Sequence, residues 1–148
     1  MATTTAMLTS FKVDLLKAVH NFSAAGGNTF KLALIKVGPA GTYGAASTNY
    51  SDITGNSDEV SGTGYSAGGG TLTNIEPTSS GTTAFTDFDD FSWTGASFST
   101  TAGMIYNSSA SNAGCGVFDF GGTQTVTVGT FTAVFPTADA SNAILRLA

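Results

Sequence analysis

The residues whose types and spacing could do chemistry fall into a few groups. The adjacent acids Asp58-Glu59 could divide general-acid and general-base roles. Neighbouring side chains on extended backbone point to opposite faces, so these two are not expected to converge on one substrate. Asp87, Asp89 and Asp90 form the densest acidic cluster. Oxygen donors of this kind suit calcium, but the glycine and distal glutamate of an EF-hand loop are missing. Phe88 and Phe91 interleave with the acids. A strand end with buried rings and exposed carboxylates therefore explains the cluster, and no metal ligand is assigned.

His20 is the only histidine and Cys115 the only cysteine. A Ser-His-Asp triad needs that histidine beside a serine and a carboxylate, and no nucleophile-elbow motif is present. One histidine and one cysteine cannot close a zinc site. Cys115 sits in an apolar strand pattern and reads as a reduced, structural thiol. The glycines at 62, 64 and 68–70 imitate a phosphate loop, but no lysine follows and no strand-to-helix context surrounds them. Trp93 with its neighbouring phenylalanines could form a carbohydrate platform, though the local alternation suits core packing. The expectation is a protein that is not an enzyme, with no catalytic, cofactor-binding or metal residues and no cofactor.

The elements that would position these residues are mostly strands. Leu8, Phe11, Leu15, Ala18, Val19 and Phe22 recur at helical spacing, which predicts one helix over about residues 8–24. Thr9 or Ser10 would cap it, Asp14 would lie near its positive end, and Gly26-Gly27 would stop it; His20 then falls inside the helix. Thr29 to Val37 has apolar residues on both faces and reads as a central strand that meets the helix on one side and a second layer on the other. Residues 38–70 form a long polar loop carrying Tyr43, Tyr50, Ile53, Val60 and Tyr65, aromatics that must pack on their own domain or on a neighbour.

Short strands are expected at Thr71–Ile75, Thr83–Phe91, Ser92–Phe98, from Met104, at Cys115–Phe120, Thr123–Val128, Thr130–Phe135 and Ala143–Leu147. Gly121-Gly122 reads as a hairpin turn. The fold class is mainly β with one N-terminal helix: an antiparallel β-sandwich or barrel-like domain with the helix docked on a sheet. The 148 residues fit a single domain, 1–148.

Charged residues make up only 10% of the chain, against a typical fraction of about 25%. Thr, Ser, Asn and Gly must therefore cover the surface. With a net charge of -5 and no basic cluster, direct nucleic-acid binding is not expected. The N-terminus lacks the features of a signal peptide, and no apolar run reaches membrane-spanning length, so a soluble product of a cytoplasm is expected.

Several segments together carry a family resemblance. They are Phe11-Lys12-Val13-Asp14-Leu15-Leu16, Asn28-Thr29-Phe30-Lys31-Leu32-Ala33-Leu34, and Asp58 through Tyr65 followed by Gly68-Gly69 and Leu72. Gly103-Met104-Ile105-Tyr106-Asn107, Val117-Phe118-Asp119-Phe120-Gly121-Gly122, Phe135-Pro136 and Ala143-Ile144-Leu145-Arg146 complete the set. In this pattern the chain resembles small virion structural proteins of tailed bacteriophages. The resemblance implies a non-enzymatic particle protein. Its expected place is the outer capsid surface, as a decoration or cement protein made in the host cytoplasm. The implied partners are the major capsid protein and copies of itself. A tail, baseplate or fibre-adaptor component is the alternative, with a carbohydrate-binding module behind both.

Overall fold

The computed structural model describes residues 2–148, and strands take 47% of the chain against 9% for helix. The fold is mainly β, with two antiparallel sheets and an N-terminal helix, as the alternating pattern predicts. In chain order the elements are β1 (Ala6–Met7), α1 (Thr9–Leu16), β2 (Phe30–Ile35), α2 (Ser51–Gly55), β3 (Gly70–Thr71), β4 (Asn74–Ser80), β5 (Thr83–Phe88), β6 (Phe91–Asn107), β7 (Ala113–Ala133) and β8 (Leu145–Leu147). The larger sheet has the order β1-β7-β6-β2-β3, and the smaller has the order β4-β5-β8.

Register explains why β2 is apolar on both faces. Leu32 stands opposite Ile105, which stands opposite Gly116, while Ala33, Met104 and Val117 share the other face. Phe30 lies on the Leu32 face and packs on Phe88 of the small sheet, ring centroids 5.6 Å apart. Tyr106 lies on the Met104 face and stacks on Tyr50 of the long loop at 4.5 Å. The large sheet is thus covered by the small sheet on one side and by residues 38–70 on the other. Each fully buried Leu, Ile or Phe between these layers contributes about 1.5–3 kcal/mol.

The helix is shorter than its apolar stripe. It ends at Leu16 rather than near residue 24, because Ala18 turns into the left-handed region at φ 57. Val19 N–H then bonds to Asp14 O and Ala18 N–H to Leu15 O, a Schellman closure made without glycine. His20 therefore lies beyond the helix, and Asp14 sits in the last turn instead of the first. The start lacks a side-chain cap: Leu8 is the N-cap residue, and the amides of Leu8 and Thr9 donate to Cys115 O and Ala45 O. Tertiary partners supply what Thr9 or Ser10 would have supplied.

Gly121-Gly122 is not a hairpin turn. Thr100 pairs with Gln124 while Ala102 pairs with Asp119, so Phe120 to Thr123 stand opposite Thr101 alone. The glycines, at φ 76 and 148, form a large bulge within one continuous strand. An unbent strand would carry Phe131 roughly 35 Å from Phe120; their ring centroids are 6.3 Å apart. Likewise Met104 does not begin a strand but lies within β6, whose true turn to β7 is at residues 108–112. The final strand starts at Leu145, later than the pattern predicts.

Candidate functional site

Residues 58–60 run antiparallel to the end of β2. Lys36 N–H donates to Asp58 O, and Val60 N–H donates to Leu34 O. Extended backbone there sends Asp58 and Glu59 to different sets of partners. Asp58, fully buried, accepts Tyr43 Oη at 2.6 Å, the amides of Ala40 and Gly41 at 2.9 and 2.8 Å, and Lys36 Nζ at 3.2 Å. A carboxylate has about four lone-pair sites, so none remains for a substrate. Burial alone would raise this carboxyl's pKa; the donors from Tyr43, Ala40, Gly41 and Lys36 outweigh it and hold the group below the ordinary range.

Glu59 anchors the other side of the loop. Its Oε1 accepts Tyr65 Oη and Gly68 N–H, both at 2.7 Å, and its Oε2 accepts Tyr50 Oη at 2.6 Å. Tyr65 Oη also accepts Leu34 N–H of β2 at 3.0 Å, and Tyr106 Oη donates to Gly68 O at 2.7 Å. All four tyrosines of the chain therefore bond inside this layer. They pack on their own sheet. Burial, then the Asp58 carboxylate, pushes the Tyr43 phenol up to about 12. Burial, then the Glu59 charge, pushes Tyr106 up to about 12. Burial and Glu59 push Tyr50 and Tyr65 up as well.

The glycines that imitate a phosphate loop serve close backbone approach. A Cβ on Gly69 would strike Leu32 O, and one on Gly62 would meet Ser97 O at 2.5 Å. Thr63 forms an antiparallel bridge to Ser97 of β6.

The acidic cluster is not brought together. Asp87 is fully buried, its Oδ1 accepting Phe88 N–H at 2.8 Å and its Oδ2 accepting Ile144 N–H at 3.0 Å. Burial raises its pKa against those amide donors. Asp89 is exposed, and Asp90 accepts Phe135 N–H at 2.8 Å. Among the described residues no three His, Cys, Asp or Glu side chains converge as metal ligands would.

His20 is buried against Phe11, and its Nδ1 faces Asn107 Nδ2 at 3.0 Å. Because Asn107 Nδ2 also donates to Asn28 Oδ1 at 2.8 Å, Nδ1 is the acceptor and the ring proton sits on Nε2. Among the described residues Nε2 has no hydrogen-bond partner; Asp14 Oδ2 is 3.7 Å away. Burial lowers the histidine pKa, opposed by Asp14. Cys115 is buried, and burial pushes its thiol pKa up, so it stays a thiol. Trp93 is 5% exposed among Phe91, Phe98 and Phe131, which makes it core and leaves no open sugar platform.

Sequence reasoning missed one feature. The bend in β7 closes an apolar crevice of about 460 Å³ between Leu32, Ile105, Phe118, Phe120, Phe131 and Phe135. The alternation of Phe118 with Phe120 signals an inward face, but only the bend returns Phe131 to it. Among the described residues no helix is long and apolar enough to cross a membrane. Comparison with known protein families, with characterised proteins and with solved structures found no match.

Proposed function

We propose that the chain is a structural protein of a bacteriophage particle, a decoration or cement protein on the outer head surface bound to the major capsid protein and to copies of itself. The observation that carries this reading is the use of the reactive side chains. Asp58, Glu59, Asp87 and the four tyrosines all hold backbone or one another in place. The distal part of β7 offers its surroundings an uncharged β surface, with Thr123, Thr125, Thr127 and Thr130 exposed. Low charge suits a protein that works by lateral contact, since burying unpaired ions on assembly is costly. The resemblance to small virion proteins supports the same reading.

Removing the protein from particles and adding it back tests the proposal. A cement protein raises the resistance of shells to heat and osmotic shock in proportion to its occupancy. Unchanged resistance at full occupancy argues against cementing. Immunogold labelling confined to the tail would replace the head assignment with a tail, baseplate or fibre-adaptor role.

A further inference from the structure

The edges of the two sheets are not treated alike. The small sheet ends on β4, which carries Glu76, Pro77 and a register shift between Ile75 and Thr78, and on the short β8, which carries Arg146. The β3 edge of the large sheet is brief, and residues 58–60 continue it. Charge, proline, bulges and short length are the usual means of keeping an edge from pairing with another chain. The other edge of the large sheet is β1, only two residues long, which leaves most of β7 uncovered. Its outer side pairs with β1 only at Gly116 and Val117, and Thr5 Oγ1 accepts the Asp119 amide at 2.9 Å. From Phe120 to Ala133 no strand lies beyond it among the described residues.

That open stretch lacks blocking residues. No charged residue occurs between Asp119 and Asp139, and no proline before Pro136. Two bulges bound it: the glycine pair at 121–122, and Val128, a β-branched residue at φ 44. Between them Gln124, Thr125 and Val126 pair in regular register with Thr100, Ser99 and Phe98. The bulges limit pairing to a short run and so disfavour open-ended strand addition.

We infer that residues 123–127 of β7 pair, antiparallel and about a two-fold axis at Thr125, with the same residues of a second copy. Charge permits that occupant. The chain carries a net charge of -5, and this uncharged edge lets two identical acidic molecules meet without opposing like charges. Symmetry agrees: an axis at Thr125 sets Thr123 opposite Thr127 on one face and Gln124 opposite Val126 on the other. Thr pairs across a ladder are favourable, and a two-fold contact is self-complementary and closed. Gln124 also lines the apolar crevice, so the added strand runs beside it. The inference rests on the particle reading only for the purpose of the contact.

Sedimentation of the purified chain should show a species of twice the 14.9 kDa protomer mass. Thr125→Lys and Thr125→Glu should each shift the protein to protomer mass, because like charges then face each other across the axis. Mixing the two variants should restore the dimer. Thr125→Cys should give a disulfide-linked dimer on mild oxidation, since facing Cα atoms in a ladder lie within disulfide reach; buried Cys115 leaves the parent chain unlinked. A parent chain that stays monomeric well above micromolar concentration overturns the inference. An oligomer that Thr125→Lys leaves intact moves the contact off this edge while keeping self-association. Binding of the chain to empty phage shells is scored separately, so loss of the particle reading is not confused with loss of the dimer.

Discussion

Residues 38–69 contain one short helix and isolated bridges, yet they bury Tyr43, Ile53, Asp58 and Val60. The distal part of β7 is the reverse: Gln124 to Ala133 form a ladder with β6, yet none of these β7 residues is fully buried. Both regions keep a defined shape by different means. The loop layer is held by charge-assisted bonds to the buried Asp58 and half-buried Glu59 carboxylates, each worth about 1.5–3 kcal/mol. The arm is held by backbone ladder bonds, whose net worth is small when water competes for the same groups, and by Phe131, which packs on Trp93 and Phe98. A ladder alone therefore does not mark where this molecule stores its stability.

Alkaline pH should separate the two regions most sharply. Unfolded tyrosine ionises near pH 10, whereas Tyr43 and Tyr106 are pushed up to about 12 in the fold. Between those values the folded chain holds protons that the unfolded chain has lost. Stability is thus complete below pH 10 and falls as pH rises toward 12, by about 1.4 kcal/mol per unit for each such tyrosine. Tyrosinate absorbance should lag and then rise together with unfolding. Tyrosines that titrate near pH 10 in an intact fold would break the comparison. The arm has no ionisable side chain from Phe120 to Ala133 and contributes nothing to this transition.

Substitution should rank the same way. Asp58→Ala leaves Tyr43, two amides and Lys36 without their acceptor, and should cost about 3–5 kcal/mol in urea unfolding. Glu59→Gln keeps an acceptor for some of its donors and should cost about 1–3 kcal/mol. In the arm, Ser99→Ala removes the exposed bond between Ser99 Oγ and Thr125 Oγ1, 2.8 Å long. That change should stay within about 0.5 kcal/mol. An Asp58→Ala cost as small as the Ser99→Ala cost would remove the layer's special status.

How much of this was legible depended on range. Alternation over Phe30 to Ile35 and the divergence of Asp58 from Glu59 follow from strand geometry, a local property, and both hold in the fold. The early end of α1 was not legible, because Ala18 rather than a glycine takes the left-handed turn. Gly121-Gly122 looks the same in sequence whether it reverses the chain or bulges it. Only the pairing of Asp119 with Ala102 and Gln124 with Thr100 decides between these. The donors to Asp58 come from Tyr43 and from the turn at 40–41, and nothing in their spacing announces that they converge.

Two glycines with nearly the same backbone isolate the effect of space. Gly69 in the layer has φ +77 and Gly121 in the arm has φ +76. An alanine at either pays the left-handed penalty of roughly 1–2 kcal/mol. At Gly121 nothing among the described residues lies within 4 Å of the new Cβ, so Gly121→Ala should cost that penalty alone. At Gly69 the Cβ collides with the Leu32 carbonyl, which is backbone and cannot swing away. Gly69→Ala should therefore cost at least about 2 kcal/mol more, in line with overpacking elsewhere. Equal costs would mean that the layer yields as easily as the arm.

The smallest effects have the opposite sign. Ser57 in the layer and Val128 in the arm both hold left-handed backbone without being glycine, at φ 55 and 44. Glycine relieves that strain but raises the entropy of the unfolded chain by about 0.5–1 kcal/mol. For Ser57 the two terms nearly cancel. For Val128 the β-branched side chain makes the left-handed region more costly, and at 86% exposure it has little packing to lose. Val128→Gly should then stabilise the protomer by about 0.5–1 kcal/mol, read as a rise in the urea midpoint at unchanged slope. The measurement belongs in the Thr125→Lys background, where the expected protomer is alone. If Val128→Gly stabilises that protomer yet destabilises the parent chain, Val128 is covered by the second copy. The strain at φ 44 is then maintained by the contact and not by the fold.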